Sequence, residues 1–202
     1  MGYHGHVLTF PIEQGKTMNV VAFRTKADGK WEDNQWVKAM NMQDMFDDFQ
    51  DWGESVRGIL SLIEEPDVWA FFNHLPAHTY YRKGKICLLG DSAHASTPHQ
   101  GAGAGMALED AFILSRLMGE IQSAKEIEAV FEGFDHVRRP RTQRLVTASK
   151  EAGEIYEFEA LGDDVERITE NLQQRYEWIW DEDLDAQLEK AQAFLKEAKR
   201  GL

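Results

Sequence analysis

The segment Lys85–Asp110, with the sequence KICLLGDSAHASTPHQGAGAGMALED, decides the fold. Its apolar run Ile86–Leu89 predicts a β-strand that is buried on both faces. Gly90 and Asp91 follow the run, and a glycine-rich loop then leads into apolar residues at helical spacing from Met106 onward. The segment therefore predicts a strand, a loop and a helix, with Asp91 at the carboxyl end of the strand. Ligands bind at that end of the strands in open α/β folds.

The predicted loop offers two kinds of ligand contact. The Asp91 carboxylate can accept hydrogen bonds from the hydroxyls of a ribose or ribityl chain, and the glycines allow the backbone to approach a ligand closely. Free backbone amides around Gly103–Met106 open the predicted helix and favour a phosphate or a delocalised anion. The spacing G-x-G-x-G departs from the dinucleotide fingerprint, and the sequence has no P-loop. A glycine-rich turn that only packs against a helix is the structural alternative.

Patterns outside this segment indicate a mixed α/β protein. His6–Phe10 and Thr17–Arg24 predict two antiparallel strands, and Val68–Phe72 predicts another strand. Pro140 stands where a proline would begin a helix. The stretch Asp181–Arg200 has its acidic residues first and its basic residues last, which complements the dipole of a C-terminal helix.

The composition argues against several classes of protein. The chain has 202 residues, of which 43% are hydrophobic, so it is long enough to bury a core. A net charge of −13, from 35 acidic and 22 basic residues, argues against a nucleic-acid partner and an anionic membrane surface. No apolar stretch approaches the ~20 residues of a membrane span. The single cysteine, Cys87, and the lack of a recognisable signal peptide predict an intracellular, cytoplasmic protein.

The acidic charge is concentrated near the C-terminus. Residues 151–202 carry 15 acidic and 6 basic residues, which amounts to −9 of the net −13. A solvated helical face is the simplest interpretation, and an acidic surface for a basic partner is the alternative. Tyr176, Trp178 and Trp180 could pack on this chain or on another, so the sequence is also compatible with a homo-oligomer formed through the C-terminal helices.

Several parts of the deciding segment, taken together, resemble a known motif. GDSAH at 90–94, Pro98, GAGAG at 101–105 and EDA at 109–111 resemble the second FAD-binding motif of the FAD-dependent aromatic-ring monooxygenases. These are enzymes of the p-hydroxybenzoate hydroxylase and salicylate hydroxylase type, and the similarity is greatest to the salicylate-hydroxylase-like branch. Weaker matches, namely GHVLTFPI at 5–12, NVVAF at 19–23 and RRPR at 138–141, extend the resemblance over roughly residues 3–150.

This resemblance implies the C-terminal part of a FAD/NAD(P)-binding flavoprotein monooxygenase fold. Residues 1–82 would form part of the substrate-binding sheet, 83–122 the FAD-binding strand, loop and helix, and 123–202 a C-terminal helical region. The family's N-terminal dinucleotide-binding unit, with its G-x-G-x-x-G motif, has no counterpart in the sequence. We therefore expect a fragment of an enzyme that uses FAD, NAD(P)H and O2 to hydroxylate an aromatic or similar planar small molecule.

The resemblance also assigns the contacts to FAD. Asp91 would bond the ribityl chain, Pro98 would lie beside the flavin ring, and the amides of Gly103–Met106 would face the pyrophosphate and the O2 side of the flavin. The expected cofactor-binding residues are Gly90, Asp91, Pro98, Gly101, Gly103, Ala104, Gly105 and Met106.

Two residues are candidates for catalysis. His6 matches the histidine of an H-x-x-x-Y-P motif that, in some members of the family, deprotonates or orients a phenolic substrate, although Phe10 replaces the tyrosine. Gln100 stands where some members place a residue near both substrate and flavin. The alternative for His6 is a strand histidine on a solvent-exposed face.

The remaining metal-binding and reactive side chains have simpler explanations. Neither His4 with His6 nor Asp91 with His94 and His99 forms a recognised zinc spacing, so no metal site is expected. His94 is better explained as a buried, hydrogen-bonded residue that braces the loop. A non-catalytic, truncated flavoprotein domain that acts as a binding or scaffold module is the second functional hypothesis.

Apolar side chains near the motif are predicted to be structural. Cys87 is expected to be a small core residue rather than a nucleophile, because the sequence places no cation beside it. Trp69, Phe71 and Phe72 could line a pocket for an aromatic substrate, but aromatic residues on a strand more often belong to the core.

Overall fold

The computed structural model describes residues 1–26, 28–82 and 85–200, and these divide into two compact units. The first unit comprises residues 1–71 and 154–164, and the second comprises residues 72–153 and 165–200. Lys83 and Gly84, with which the predicted FAD-binding segment begins, lie outside the described residues. Among the described residues, no helix is both long and apolar enough to cross a lipid bilayer.

The first unit is built around the predicted antiparallel hairpin. Strand β1 (Gly5–Ile12) pairs with β2 (Thr17–Arg24) in a register that places His6 opposite Phe23. Between the strands lies a short 3-10 turn (Glu13–Gly15). The hairpin prediction is therefore confirmed, because alternating β-branched and apolar residues favour strands and glycine favours the turn.

Two short helices and a second small sheet complete the first unit. Strand β3 (Val37–Ala39) pairs with β4 (Asp67–Trp69), and helices α1 (Met42–Asp48) and α2 (Glu54–Leu60) lie between them in sequence. Asn41 caps α1 by accepting a hydrogen bond from the backbone N–H of Gln43. The core of the unit is formed by Met45, Phe49 and Leu60.

The second unit contains the segment that decides the fold. Its elements are β5 (Tyr81–Arg82), β6 (Ile86–Cys87), α3 (Asp91–His94), a 3-10 turn (Pro98–Gln100), α4 (Gly103–Met118), most of α5 (Ile127–Tyr156), α6 (Val165–Gln174), α7 (Glu177–Trp180) and α8 (Leu184–Lys199). The predicted mixed α/β class is confirmed, as is the order of strand, glycine-rich loop and helix.

Helices α4, α5 and α8 enclose the core of the second unit. Ile113 and Leu117 of α4, Phe134 of α5 and Leu195 of α8 belong to one buried cluster, together with Tyr80. Helix α8 lies within the predicted stretch, and the side chain of Asp183 caps it by accepting a hydrogen bond of 2.9 Å from the N–H of Ala186. The C-terminal helix prediction is thus confirmed.

Three predictions about local structure are wrong. The run Ile86–Leu89 is not a strand buried on both faces. Only Ile86 and Cys87 pair, antiparallel to β5, and the side chain of Ile86 is 69% exposed. A two-stranded hairpin leaves an open edge and an open face, so these apolar side chains are only partly covered.

Pro140 does not begin a helix, because it lies in the interior of α5. A proline there removes one intrahelical hydrogen bond, which would be expected to break the helix. The side chains of Arg138 and Arg141 on either side of it are both buried in polar contacts, so tertiary interactions hold the helix on each side of the proline.

The three aromatic residues near β4 are not core residues. Strand β4 ends at Trp69, short of the predicted Phe72, and Trp69, Phe71 and Phe72 are all exposed. The expectation that they belong to the core is therefore wrong for the described residues.

Candidate functional site

Gly90 forms the sharp turn that carries the chain from β6 into α3. Its dihedral angles, φ +57° and ψ −140°, are accessible to glycine but strained for any residue with a side chain. A Cβ at this position would also lie 3.2 Å from the Cβ of Ala107 on α4. The turn places Asp91 at the first position of α3, where its side chain is exposed. Asp91 is thus available to an external hydroxyl group.

The first turn of α4 is a second available polar surface. Among the residues that the structure describes, no side chain caps this helix, so the N–H groups of its first turn have no side-chain acceptor there. Gly101 precedes the helix with φ +62°, and Ala104 and Gly105 are exposed. A backbone that offers amide donors at a helix N-terminus suits an anionic or electron-rich group.

Gly105 is not required by the fold. A Cβ at Gly105 would meet no atom within 4 Å, and the residue lies inside a helix, where alanine is the more stable choice. Packing within this chain therefore gives no reason for glycine at this position. Close approach of a ligand to the backbone is a reason that fits the neighbouring amide donors.

Gln100 brings an unusual buried polar group to the same loop. The residue is only 7% exposed, and neither the Oε1 nor the Nε2 of its side chain has a hydrogen-bond partner among the described residues. Its backbone N–H donates to the Oγ of Ser149 at 3.3 Å, and that hydroxyl donates to the carbonyl of Thr97 at 2.5 Å. The loop is thereby fixed on α5 while the Gln100 amide stays unsatisfied. Such a group is costly unless a ligand contacts it.

Asp110, a fully buried residue of α4, holds the start of the loop in place. Its Oδ2 accepts a hydrogen bond of 3.2 Å from the N–H of Gly90 and one of 2.6 Å from Nε2 of His94. Its Oδ1 accepts a bond of 2.7 Å from Nε of Arg138. The expectation that His94 is a buried, hydrogen-bonded brace is confirmed. Asp110 thus ties the Gly90 turn to both α4 and α5.

The charges of this network are compensated. Burial alone would raise the pKa of Asp110, but the hydrogen bonds from His94 and Arg138, together with the charge of Arg138, hold it below its usual range. Arg138 also donates to Oε1 of Gln187 on α8 at 2.7 Å. The turn at Gly90, helix α4 and helix α8 are therefore joined through Asp110 and the buried guanidinium of Arg138.

A second pair of charges extends the network towards the C-terminal helices. Arg141 of α5 holds Glu109 in a bidentate arrangement, with both N–H···O distances at 2.8 Å, and also donates to the carbonyls of Trp178 and Ile179. Burial would raise the pKa of Glu109, but these bonds and the charge of Arg138 hold it below its usual range. Trp178 lies over the guanidinium of Arg144 at 4.1 Å, so it packs on this chain.

The sequence contains the parts of this network but does not predict the network itself. The pair Glu109–Asp110 and the run Arg138–Arg141 are both in the family resemblance, but no local pattern joins them. Acidic residues on α4 and basic residues on α5, two helices that flank one core, were the available signal. The pairing itself depends on tertiary structure.

The other catalytic candidate, His6, belongs to the first unit. It lies on β1 and is only 6% exposed, with its ring stacked on that of Phe23 at 4.1 Å. The alternative of a histidine on a solvent-exposed strand face is therefore wrong. Gln100 and all the expected cofactor-binding residues belong to the second unit.

The remaining candidates show no reactive environment. Burial, with the nearby charges of Asp135 and Asp110, raises the pKa of the Cys87 thiol to about 12, so the group is protonated at neutral pH. Within the part of the chain that the structure describes, no group of three or more His, Cys, Asp or Glu side chains is placed to hold a metal ion.

The sequence is similar to those of known FAD-binding proteins. The family model described as "FAD binding domain" matches residues 64–149, which include every expected cofactor-binding residue. A salicylate hydroxylase of Pseudomonas putida is 41% identical over 204 residues, which cover 96% of this chain and 46% of that protein. Over nearly all of its length, the chain is similar to salicylate-hydroxylase-like FAD-binding monooxygenases.

Further relatives show a similar degree of identity. A 6-methylsalicylate 1-monooxygenase of Aspergillus terreus is 36% identical, covering 92% of this chain and 42% of that protein. A solved salicylate hydroxylase substrate complex superposes with a TM-score of 0.88 at 39% identity, covering 94% of this chain and 47% of that one. The chain thus spans about half the length of the relatives it matches.

Proposed function

We propose that this chain supplies the flavin-facing loop and the substrate-binding strands of an NAD(P)H-dependent FAD monooxygenase that hydroxylates a phenolic aromatic acid of the salicylate kind. The observation that carries the proposal is the Gly90–Met106 segment, where an exposed carboxylate, an uncapped helix and an unsatisfied buried amide occur in one loop. The names of the salicylate and 6-methylsalicylate relatives support the substrate class.

The residues present fit the cofactor that the family implies. Asp91 would accept hydrogen bonds from the ribityl hydroxyls, and Gly90 would fix the turn that presents it. Pro98 and Gly101 would border the flavin ring, and the N–H groups of Gly103, Ala104, Gly105 and Met106 would stabilise negative charge on it. When bound, FAD supplies the redox chemistry that transfers oxygen to the substrate.

Two side chains would handle the substrate. His6 would accept the phenolic proton, because an imidazole is suited to base catalysis near neutral pH. Gln100 would satisfy its buried amide by hydrogen bonding to substrate or flavin, which would orient the ring for attack. The division into a substrate-binding region at 1–82, a flavin loop region at 83–122 and a helical region at 123–202 is part of this proposal.

A hybrid enzyme tests the proposed function. In the Pseudomonas putida salicylate hydroxylase, the segment that aligns with this chain is replaced by this chain. The hybrid is expected to retain FAD and to oxidise NAD(P)H with formation of a hydroxylated product from salicylate. A well-folded hybrid that binds FAD but acts on no salicylate would contradict the substrate class, and one that binds no FAD would support the scaffold alternative.

Replacing Gly105 with Ala is expected to affect protein stability and FAD affinity differently. Because the added methyl meets no atom within 4 Å, we expect the free energy of unfolding of this chain to stay the same or to rise by up to about 1 kcal/mol. In the hybrid, the same methyl would crowd the flavin and weaken FAD binding by about tenfold or more. Urea denaturation and FAD titration measure the two effects.

Gly58→Ala is the matched control for this prediction. Gly58 lies within α2, and a Cβ there also meets no atom within 4 Å, so the gain in helix propensity should be similar. If Gly105→Ala lowers the stability of the chain, or leaves FAD affinity in the hybrid unchanged, the ligand explanation for this glycine fails.

A further inference from the structure

Helix α5 holds the turn between Thr97 and Gln100 at both of its ends. The Oγ of Ser149, a residue that is only 1% exposed, accepts a hydrogen bond of 3.3 Å from the N–H of Gln100. The same hydroxyl donates a hydrogen bond of 2.5 Å to the carbonyl of Thr97. The 3-10 turn Pro98–Gln100 lies between these two backbone groups. One buried hydroxyl therefore fixes where the turn begins and where it ends.

The middle of the same turn contacts α5 at Gly153. A Cβ on Gly153 would lie 2.6 Å from Cδ2 and 2.6 Å from Nε2 of the His99 ring. Carbon atoms in contact are about 3.5–4.0 Å apart, so a methyl group at position 153 and this ring cannot both occupy these places. The imidazole of His99 thus packs directly on the backbone of α5.

This contact explains why position 153 is a glycine. Gly153 lies inside α5, and alanine is more favourable than glycine in a helix interior. Ser149 and Gly153 are four residues apart, so they lie on the same face of the helix. That face therefore combines a hydroxyl that binds the backbone of the turn with a missing side chain that makes room for His99.

The His99 ring and its backbone are both held. Nδ1 of the ring is buried, and the hydroxyl of Tyr176 donates a long hydrogen bond of 3.5 Å to the carbonyl of His99. Because packed interiors leave few voids, the ring has little space into which it can move aside. A methyl group on Gly153 would therefore displace His99, and the turn that carries it, by about 1 Å.

The polar side chains of the turn are not used to hold it. Oγ1 of Thr97 and both polar atoms of the Gln100 amide are buried and have no hydrogen-bond partner among the described residues. Unsatisfied buried groups are uncommon in folded proteins, and they are consistent with a ligand that completes their hydrogen bonds. The backbone of the turn is thus fixed by α5 while its side chains stay available.

We propose that Ser149 and Gly153 are positioning residues, which set where the Thr97–Gln100 turn presents its unsatisfied polar groups to flavin and substrate. Both residues act through the turn, Ser149 by its hydrogen bonds and Gly153 by the room it leaves for His99. Reaction rates are sensitive to such placement, since a displacement of about 1 Å can cost about 10²-fold. That the turn faces the flavin rests on the proposed function, whereas the coupling of α5 to the turn does not.

Backbone NMR of the intact chain tests this coupling without any cofactor. Ser149→Ala removes the acceptor of the Gln100 N–H, so we expect this amide proton to exchange with solvent at least about tenfold faster. Ser115→Ala is the matched control, because the Ser115 hydroxyl donates to the carbonyl of Phe112 within its own helix. It should leave the exchange of the Gln100 amide unchanged. An unchanged Gln100 amide in a folded Ser149→Ala protein would overturn the proposal.

A double-mutant cycle in the hybrid enzyme tests Gly153 together with His99. Gly153→Ala should lower kcat at least about tenfold, with a smaller effect on KM, and should lower the yield of hydroxylated product per NAD(P)H oxidised. In the His99→Ala background the same methyl group meets no ring, so Gly153→Ala should change kcat by less than about twofold. Equal effects of Gly153→Ala in the two backgrounds would overturn the proposal.

The same cycle in the intact chain separates this proposal from the proposed function. The amide resonance of Gln100 should shift in Gly153→Ala, and Gly153→Ala should cause no further shift when His99 is already alanine. A hybrid without FAD or without product would contradict the proposed function and leave these shifts unaffected. An active hybrid whose kcat and product yield are unchanged by both Ser149→Ala and Gly153→Ala would overturn the positioning role.

Discussion

Replacing Asp110 with Asn is expected to lower the free energy of unfolding by about 3–5 kcal/mol, because it removes the charge from a buried ion pair. Asp110 accepts hydrogen bonds from Gly90, His94 and Arg138. An asparagine has a single acceptor oxygen, so its NH2 group would face one of these donors. The buried positive charge of Arg138 would also lose a negatively charged partner. Chemical denaturation followed by far-UV circular dichroism measures the change.

Asp181→Asn is the control for this prediction. It is the same chemical exchange at an exposed residue of the same unit, and surface substitutions of this kind change stability by less than about 0.5 kcal/mol. If Asp110→Asn were as mild as Asp181→Asn, the network would not be the structural brace described above.

The acid sensitivity of the protein should change with the same substitution. The pKa of Asp110 lies below its usual range in the folded state, so its contribution to stability is complete above the unfolded pKa. That contribution is lost as the pH falls through the folded pKa, at about pH 4 and below. Stability measured against pH should therefore fall less steeply in this range for Asp110→Asn than for the wild type.

Replacing His6 with Asn in the hybrid enzyme is expected to lower kcat for salicylate hydroxylation by about 10²–10⁴-fold. The imidazole is the proposed proton acceptor, and asparagine cannot take its place. FAD content should stay the same, because the proposed flavin contacts come from Gly90–Met106. Product formation under saturating NAD(P)H and O2, with absorbance of the bound flavin, measures both quantities.

His4→Asn provides the comparison for the His6 variant. His4 is an exposed histidine two residues away, and its positive φ of 60° is a conformation that asparagine tolerates. We expect kcat to change by less than about twofold. Equal losses for His4→Asn and His6→Asn, or no loss for His6→Asn in a folded hybrid, would exclude His6 as the base.

The parts of the fold that follow local rules could be predicted from the sequence. The β1–β2 hairpin follows from alternating strand residues around a glycine turn, and α8 follows from its cap and its charge order. The order of strand, glycine-rich loop and helix also follows from the sequence, because Gly90, Asp91 and the later glycines lie within one short segment. In each of these cases, the residues that interact are near neighbours along the chain.

The errors and omissions involve contacts that are distant in sequence. Ile86–Leu89 has the composition of a buried strand, but burial depends on which elements cover it. Pro140 follows a local rule that the contacts of Arg138 and Arg141 override. The pairing of Asp110 with Arg138 and the contact of His99 with Gly153 join separate elements, and no local pattern specifies them.

The central claim is that the Gly90–Met106 loop of this chain holds FAD, and the FAD content of the hybrid enzyme tests it most directly. We expect purified hybrid to carry close to one FAD per chain, measured from flavin absorbance near 450 nm against protein concentration. Asp91→Ala in the same hybrid should lose most of the flavin while remaining folded, because the ribityl hydroxyls lose their acceptor. Equal flavin content in the two proteins, or a folded hybrid without flavin, would contradict the claim.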